Sequence, residues 1–559
     1  MKYKKIAALV SILIISALTF GFVYTSDPYF LIKKNFTIFS EVYDEVSTRY
    51  VDEVEPERLM RHGINSMLEK LDPYTVIIDE ADSQEMDIVT TGQYAGVGLE
   101  VGARADKLVV IAPIEGYSAE RRGMKAGDVI IAVDGTPTNN MTMEGLQSLL
   151  RGESGSQVSI TTTRIGLDEE LTFDLTRERI DIKNIAYSGI LDGDQRIGYV
   201  LLRRFAQNAS EELRNAVLEM KEGGELDGLI LDLRNNPGGL LDEAVYMVDK
   251  FVSPGHKVVQ TKGRMPETNS VYSTEEPAIL NKPLVVLQNN GSASSSEIVS
   301  GALQDLDKAV IIGDRSFGKG LVQIIRPLSY NLAIKITTSK YYTPSGRSIQ
   351  SHDYSSVENP DEVEVPDSLR TPFKTLSGRT VYEGIGIEPD IQVDDGPQSL
   401  LEVALLQNSH YFFFANQYAS ENPEFDLELV DEALFDSFQV YLEKEEFNYK
   451  TRSEHYYTEF TESLDDEIRK NAQAQLTRFE EIVNEEKQLQ MEQNAEKIKQ
   501  ELFLELLSRY EGTTGKLKHS LKYDESVQEG IRLLANPEEY KSILNITEYC
   551  TKEIYTCIP

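Results

Sequence analysis

The chain has 559 residues, enough for three or four domains, and sets 56 basic against 92 acidic side chains for a net charge of −36. That balance excludes nucleic acid and anionic membrane as partners of the protein body and predicts a soluble, acidic surface. Cys550 and Cys557 are the only cysteines and have too few ligands around them for a metal site, so neither metal nor cofactor is expected.

Lys2, Lys4 and Lys5 precede an apolar run over residues 6–24, about the shortest length that spans a bilayer. No small-x-small cleavage site closes it, because Tyr24 occupies the −3 position for a cut after Ser26. The expectation is a signal anchor over 1–26, lysines inside and the body outside the cytoplasm, with a cleaved signal peptide as the alternative. Residues 27–86 form a helical region: Phe39, Val42, Tyr43, Val46 and Tyr50 fall at helical spacing, and so do Leu59, Ile64, Met67, Leu68 and Leu71 before the break at Asp72-Pro73. A packing role is the simplest reading of that pattern.

Over 87–166 the pattern changes to short strands, a Gly-rich loop and a helix. Tyr94 to Val101 supplies a Gly-flanked loop entering a strand, 108–112 a second strand, and 127–135 a strand bounded by turns. Residues 143–150 then read as a short amphipathic helix. This succession resembles a PDZ domain, which implies that Gly96, Val97, Gly98 and Leu99 form the loop whose amides take a peptide's terminal carboxylate while the peptide adds as an edge strand.

Residues 229–233 read as a buried strand, ending in the turn Arg234-Asn235-Asn236-Pro237-Gly238-Gly239, where glycine lets backbone amides approach a ligand. A second apolar strand, 283–287, leads into Gly291-Ser292-Ala293-Ser294-Ser295-Ser296-Glu297 and a helix over 297–306. Those serines lie on a strand-to-helix turn, where a helix N-terminus favours an oxyanion. A serine hydroxyl needs a base. The six histidines, His62, His256, His352, His410, His455 and His519, are scattered outside Gly-rich loops. Lys319, between Phe317, Gly318, Gly320, Leu321 and Val322, has the low-polarity neighbours that let a lysine serve instead. Composition does not choose among Ser292, Ser294, Ser295 and Ser296.

The same lysine fits a phosphate loop, Gly313-x-x-x-x-Gly318-Lys319, behind an apolar strand at 309–312. Two features oppose that reading. Gly320 stands where the magnesium-binding hydroxyl belongs, and residues 321–325 and 332–339 alternate as strands where a helix is required.

Asp232-Leu233-Arg234-Asn235-Asn236-Pro237-Gly238-Gly239, the serine segment, Gly301-Ala302-Leu303-Gln304-Asp305 and Phe317-Gly318-Lys319-Gly320 together resemble the motifs, in order, of the carboxyl-terminal processing (tail-specific) serine proteases. The resemblance covers about residues 35–395. It implies a Ser294/Lys319 dyad assisted by Gln323, one helical turn or loop beyond the lysine, and an oxyanion hole from the amides of Gly239 and Ser295. Many relatives have Ala in place of Ser295, which leaves the amide unchanged. The implied fold is α+β and multidomain: anchor and helical segment, PDZ domain, an α/β protease core of ClpP/crotonase type over 167–395, and a charged helical extension over 396–559. Segments such as 480–489 in that extension read as solvated helix.

The implied function is a serine endopeptidase that binds protein C-terminal tails through its PDZ domain and cleaves them, in the bacterial envelope on the extracytoplasmic, periplasmic side. A homo-oligomer is compatible with the helical region. A local disulfide between Cys550 and Cys557 is compatible with that compartment. The competing class, a non-catalytic PDZ scaffold, gives no reason to keep both Ser294 and Lys319.

Overall fold

The computed structural model describes residues 28–352, 354, 370–393, 396, 399–424 and 432–546. The anchor expected at 1–26 and the cysteines at 550 and 557 lie outside them. No helix among the described residues is long and apolar enough to cross a membrane.

The described residues divide into two compact units, 28–77 with 334–336, and the remainder. The first carries α1 (Pro28–Arg49) and α2 (Pro56–Leu68), the latter opened by a proline at its first position, where the missing N–H costs nothing. Both helices match the expected periodicity. The packing expectation does not hold along α1, where Phe36, Phe39 and Val42 remain exposed.

In the second unit an antiparallel sheet runs in the order β1 (Leu99–Arg104), β2 (Lys107–Pro113), β3 (Val129–Val133), β4 (Gln157–Thr163), β5 (Leu171–Thr176). Helix α3 (Met143–Leu150) contributes Leu146 and Leu150 to its core. Thr142 caps α3 by accepting from Gly145 N–H. The sheet continues past the expected boundary at 166: Leu171, Phe173 and Leu175 alternate as β5 and close a hairpin with β4, so the turn at Gly166 lies inside the domain. Strand β1 is an edge strand with one side unpaired.

The central sheet has the order β6 (Ile185–Ile190), β7 (Ile197–Leu202), β8 (Gly228–Asp232), β9 (Leu284–Gln288), β10 (Val310–Gly313), with the short β13 (Ile391–Gln392) at its far edge. Only β6 is antiparallel; the rest run parallel, so both faces must be covered. Side chains alternate between the faces. Val200, Leu202, Leu229, Leu231, Val286 and Ile311 pack on α4 (Ala209–Glu222), α5 (Leu241–Asp249) and α6 (Ser295–Asp305). Tyr199, Leu201, Ile230, Val285, Leu287 and Ile312 face the opposite way.

What covers that second face comes from the extension. Helices α7 (Leu400–Gln407), α8 (His410–Glu421), α9 (Glu432–Lys444) and α10 (Ala495–Tyr510) build an aromatic core of their own around Phe414, Phe438 and Leu502. Then α11 (Glu525–Leu534) and α12 (Pro537–Ile543) return to the sheet, burying Val527, Leu533, Leu534 and Tyr540 against it. Each such large apolar side chain contributes about 1.5–3 kcal/mol. The extension is helical as expected and 480–489 is largely exposed, with Val483 buried, while these other helices carry a buried stripe that their moderate sequence hydrophobicity concealed.

Candidate active site

The parallel strands end in three neighbouring loops, after β8, β9 and β10. In such sheets, sites form outside the carboxyl ends of the strands. The loop after β9 carries Ser294 at φ +55°, ψ −113°, at the head of α6. A residue other than glycine in that region is strained, and the turn holds its side chain at the positive end of a helix.

The four hydroxyls separate at once. Ser292 Oγ donates to Leu233 O (2.8 Å), Ser295 Oγ to Gly239 O (3.0 Å), and Ser296 Oγ to Asn236 O (2.8 Å), so all three hold the loop that follows β8. Those three are buried. Ser294 is half-buried, and its hydroxyl alone of the four is not committed to that loop.

Gly238 and Gly239 lie directly against the Ser294 turn. A Cβ on Gly238 would fall 2.9 Å from Ser294 Cβ, and one on Gly239 would fall 2.3 Å from Phe205 O, so both positions require glycine. The bridge between Phe205 and Gly239 uses Gly238 O and Leu240 N–H. Neither the Gly239 amide nor the Ser295 amide donates to another group among the described residues. Two free donors beside one half-buried hydroxyl is the arrangement an acyl-transfer oxyanion needs.

Lys319 sits in the loop between β10 and β11 (Leu321–Pro327), half-buried. Two side chains clamp it to Ser294. One Glu297 oxygen accepts from the backbone N–H of both Ser294 (2.8 Å) and Lys319 (2.9 Å), while the other accepts from Gly318 N–H (2.7 Å) and Ser316 Oγ (2.6 Å). Burial pushes the Glu297 carboxyl up to about 7, against the opposing pull of those four donors. Three of the donors are amides that cannot reverse, so the pocket is built for the carboxylate. The hydroxyl of buried Tyr341, on β12 (Ala333–Tyr342), lies between the carbonyl oxygens of Ser294 (3.2 Å) and Lys319.

Gln323, expected one helical turn or loop beyond the lysine, lies on strand β11, and its amide donates to Thr337 Oγ1 on β12 at 3.1 Å. Because Lys319 is followed by that strand, the phosphate-loop reading falls. Just before the PDZ-like sheet, Gly96 ends a short strand that pairs with residues 178–181 as a separate two-stranded sheet, and Gly98 adopts φ +75° with Tyr117 packed on its α-carbon. The carbonyls of Val97 and Gly98 accept from Ala119 and Ile114, and Leu99 begins the edge strand β1. The Val97 and Gly98 amides donate to nothing among the described residues.

Glu297 and Tyr341 were missed as site residues. Ser294-x-x-Glu297 has capping-box spacing, a signal that was available for the first; nothing local marks the second. A cavity of 570 Å³ lies apart from the dyad, lined by Tyr199, Arg234, Asn235, Gln288, Asp314 and Asp524 among others, none of them an expected site residue.

Three families match the chain: peptidase family S41 over residues 196–361, a PDZ domain over 109–164, and the C-terminal helical domain of probable PDZ-proteases over 401–534. The chain is similar to a carboxy-terminal-processing protease of Bartonella bacilliformis, 38% identical over 57% of this chain and 73% of the relative. A carboxyl-terminal-processing protease of Synechocystis is 36% identical over 54% and 70%, and the carboxy-terminal processing protease CtpA of Bacillus subtilis 28% over 66% and 78%. The helical extension, beyond the reach of the motif resemblance, therefore has counterparts of its own.

Proposed function

We propose, since this chain belongs to the carboxyl-terminal-processing proteases of peptidase family S41, that Ser294 is the nucleophile of this serine peptidase and Lys319 its base. The neutral amine of Lys319 takes the hydroxyl proton as Ser294 Oγ attacks the scissile carbonyl, and the amides of Gly239 and Ser295 receive the developing oxyanion. Gln323, held by Thr337 on the strand that leaves Lys319, supports the lysine loop. The observation that carries this reading is the pairing of the one serine hydroxyl of the four that does not hold the loop after β8 with two amides that have no partner among the described residues.

Substrates are unstructured protein C-termini. A tail adds to β1 as a further strand, with its carboxylate on the amides of Val97, Gly98 and Leu99 next to Gly96. The open edge of β1 and the free amides support this. The enzyme acts on the outer side of the bacterial cytoplasmic membrane, held there by residues 6–24; the flanking lysines support that placement. Fractionating cells into membrane and soluble parts tests it, and a protein found wholly in the soluble fraction would exclude the anchor.

The direct test of the chemistry is to incubate an unstructured polypeptide with the enzyme and with Ser294→Ala, then identify new C-termini by mass spectrometry. Cleavage by the intact enzyme alone is expected. Equal cleavage by both would overturn the assignment.

A further inference from the structure

Gly239 reaches its place at the end of the loop Asn235 to Gly239, whose two closing glycines are conformationally free, and bonds from outside the loop must hold it. One side is tied to the nucleophile segment, through Asn235 N–H to Asn289 Oδ1 (2.9 Å) and Ser296 Oγ to Asn236 O. The other side is tied by Arg234. Its guanidinium forks onto Asp232, with Nη2 to Oδ2 at 2.6 Å, and onto Asp524, with Nη1 to Oδ1 at 3.0 Å and Nη2 to Oδ2 at 2.7 Å. Asp232 is fixed in turn by Tyr199 OH (2.7 Å) at the end of β8.

Asp524 belongs to the C-terminal helical domain. It stands immediately before α11, where Oδ1 also caps the helix by accepting from Val527 N–H (3.0 Å). Because α11 is anchored on the sheet through Val527, Leu533 and Leu534, the carboxylate is presented from a rigid element. The bridge is partly solvated, with Arg234 18% and Asp524 23% exposed beside the 570 Å³ cavity. Screening leaves little Coulomb stabilisation in such a pair, whereas a two-pronged fork still fixes direction.

We infer that Asp524 is a positioning residue for the peptidase reaction: through Arg234, the C-terminal helices hold the Gly239 amide at the spacing the oxyanion requires. The inference rests on Gly239 being an oxyanion donor. It assigns the extension a part in catalysis beyond covering the sheet.

Asp524→Ser keeps a hydroxyl that caps α11 but removes the fork. In the full chain, kcat is expected to fall about 10-fold with KM within about two-fold, since small displacements of a transition-state donor act on the chemical step. Affinity for a peptide aldehyde, whose hemiacetal oxygen occupies the hole, should weaken by a matching factor. Asp524→Asn, which keeps cap and shape, should move the same way and serves if the serine variant does not fold. A lowered Tm with kcat and aldehyde affinity unchanged would overturn the inference, and so would no change at all. Gly239→Ala, read with the same aldehyde, separates the two levels. If it leaves aldehyde affinity intact, the oxyanion assignment itself fails; if it weakens binding while Asp524→Ser does not, only the bridge is refuted.

Discussion

At the scale of single residues, the serine-rich turn shows how like groups take unlike roles. Ser292, Ser295 and Ser296 are buried rivets holding the loop after β8, and the Ser294 hydroxyl takes no part in that bonding. Ser294→Ala should lower hydrolysis by a factor on the order of 10⁴ or more without changing Tm, as removal of a nucleophile does. Ser296→Ala should do the reverse. Asn236 O keeps Ala293 N–H as a partner, so the loss is about 1 kcal/mol of stability with activity largely kept. Lys319→Arg should be inactive, because a guanidinium does not give up its proton in this range; turnover surviving in that variant would exclude the lysine as base.

Glu297 adds a pH signature. Its carboxyl titrates near 7 in the folded state and near the ordinary glutamate value when unfolded, so between those values the folded state binds the extra proton. Its stabilising contribution is therefore full below about pH 4.3 and lost as pH rises towards 7, a change of roughly 3 kcal/mol. Relative to Glu297→Gln, wild-type unfolding free energy should fall across that window, and parallel profiles would show that the carboxyl does not titrate there. Activity should move oppositely, since protonation takes an acceptor from the clamp joining Ser294 to Lys319.

At the scale of elements, the edge strand β1 and the return helices α11 and α12 matter most. Amidating the C-terminus of an unstructured substrate should weaken its binding to the full-length Ser294→Ala protein by about 1.5–3 kcal/mol, the worth of hydrogen bonds to a charged group. Equal affinities for acid and amide would show that the loop at Val97 and Gly98 senses something other than a terminal carboxylate. In the extension, Leu533→Ala should cost about 2–5 kcal/mol, as truncation of a buried leucine does, whereas Ile482→Ala, on an exposed face, should stay within about 0.5 kcal/mol. Thermal unfolding of the two variants distinguishes a structural cover from a solvated appendage.

At the scale of the whole molecule, the protease sheet is finished by residues far along the chain. Tyr540 OH donates to Leu284 O and accepts from Leu284 N–H at the start of β9, the strand that leads to Ser294. Residues 521–544 thus complete the core on one face of the sheet that carries Ser294 and Lys319.

The sequence alone determined most of the local structure, because strand, helix and turn signals act over a few residues. The strands before Asp232 and Ser294, the helix at 143–150, the edge loop at Gly98 and the strand after Lys319 were all legible from periodicity and glycine placement. The ordered motifs likewise carried the reading of a peptidase. Only the tertiary structure decided which of four serines stays off the loop after β8, since the carbonyls that occupy the others come from that loop, some sixty positions away. It alone brought Glu297 and Tyr341 onto the backbones of Ser294 and Lys319, paired a further strand at 171–176 onto the PDZ-like sheet, and turned a charged extension into the second cover of the central sheet. Those facts depend on contacts between segments distant in the chain, and a residue's type and spacing record that it has a buried face without recording what the face meets.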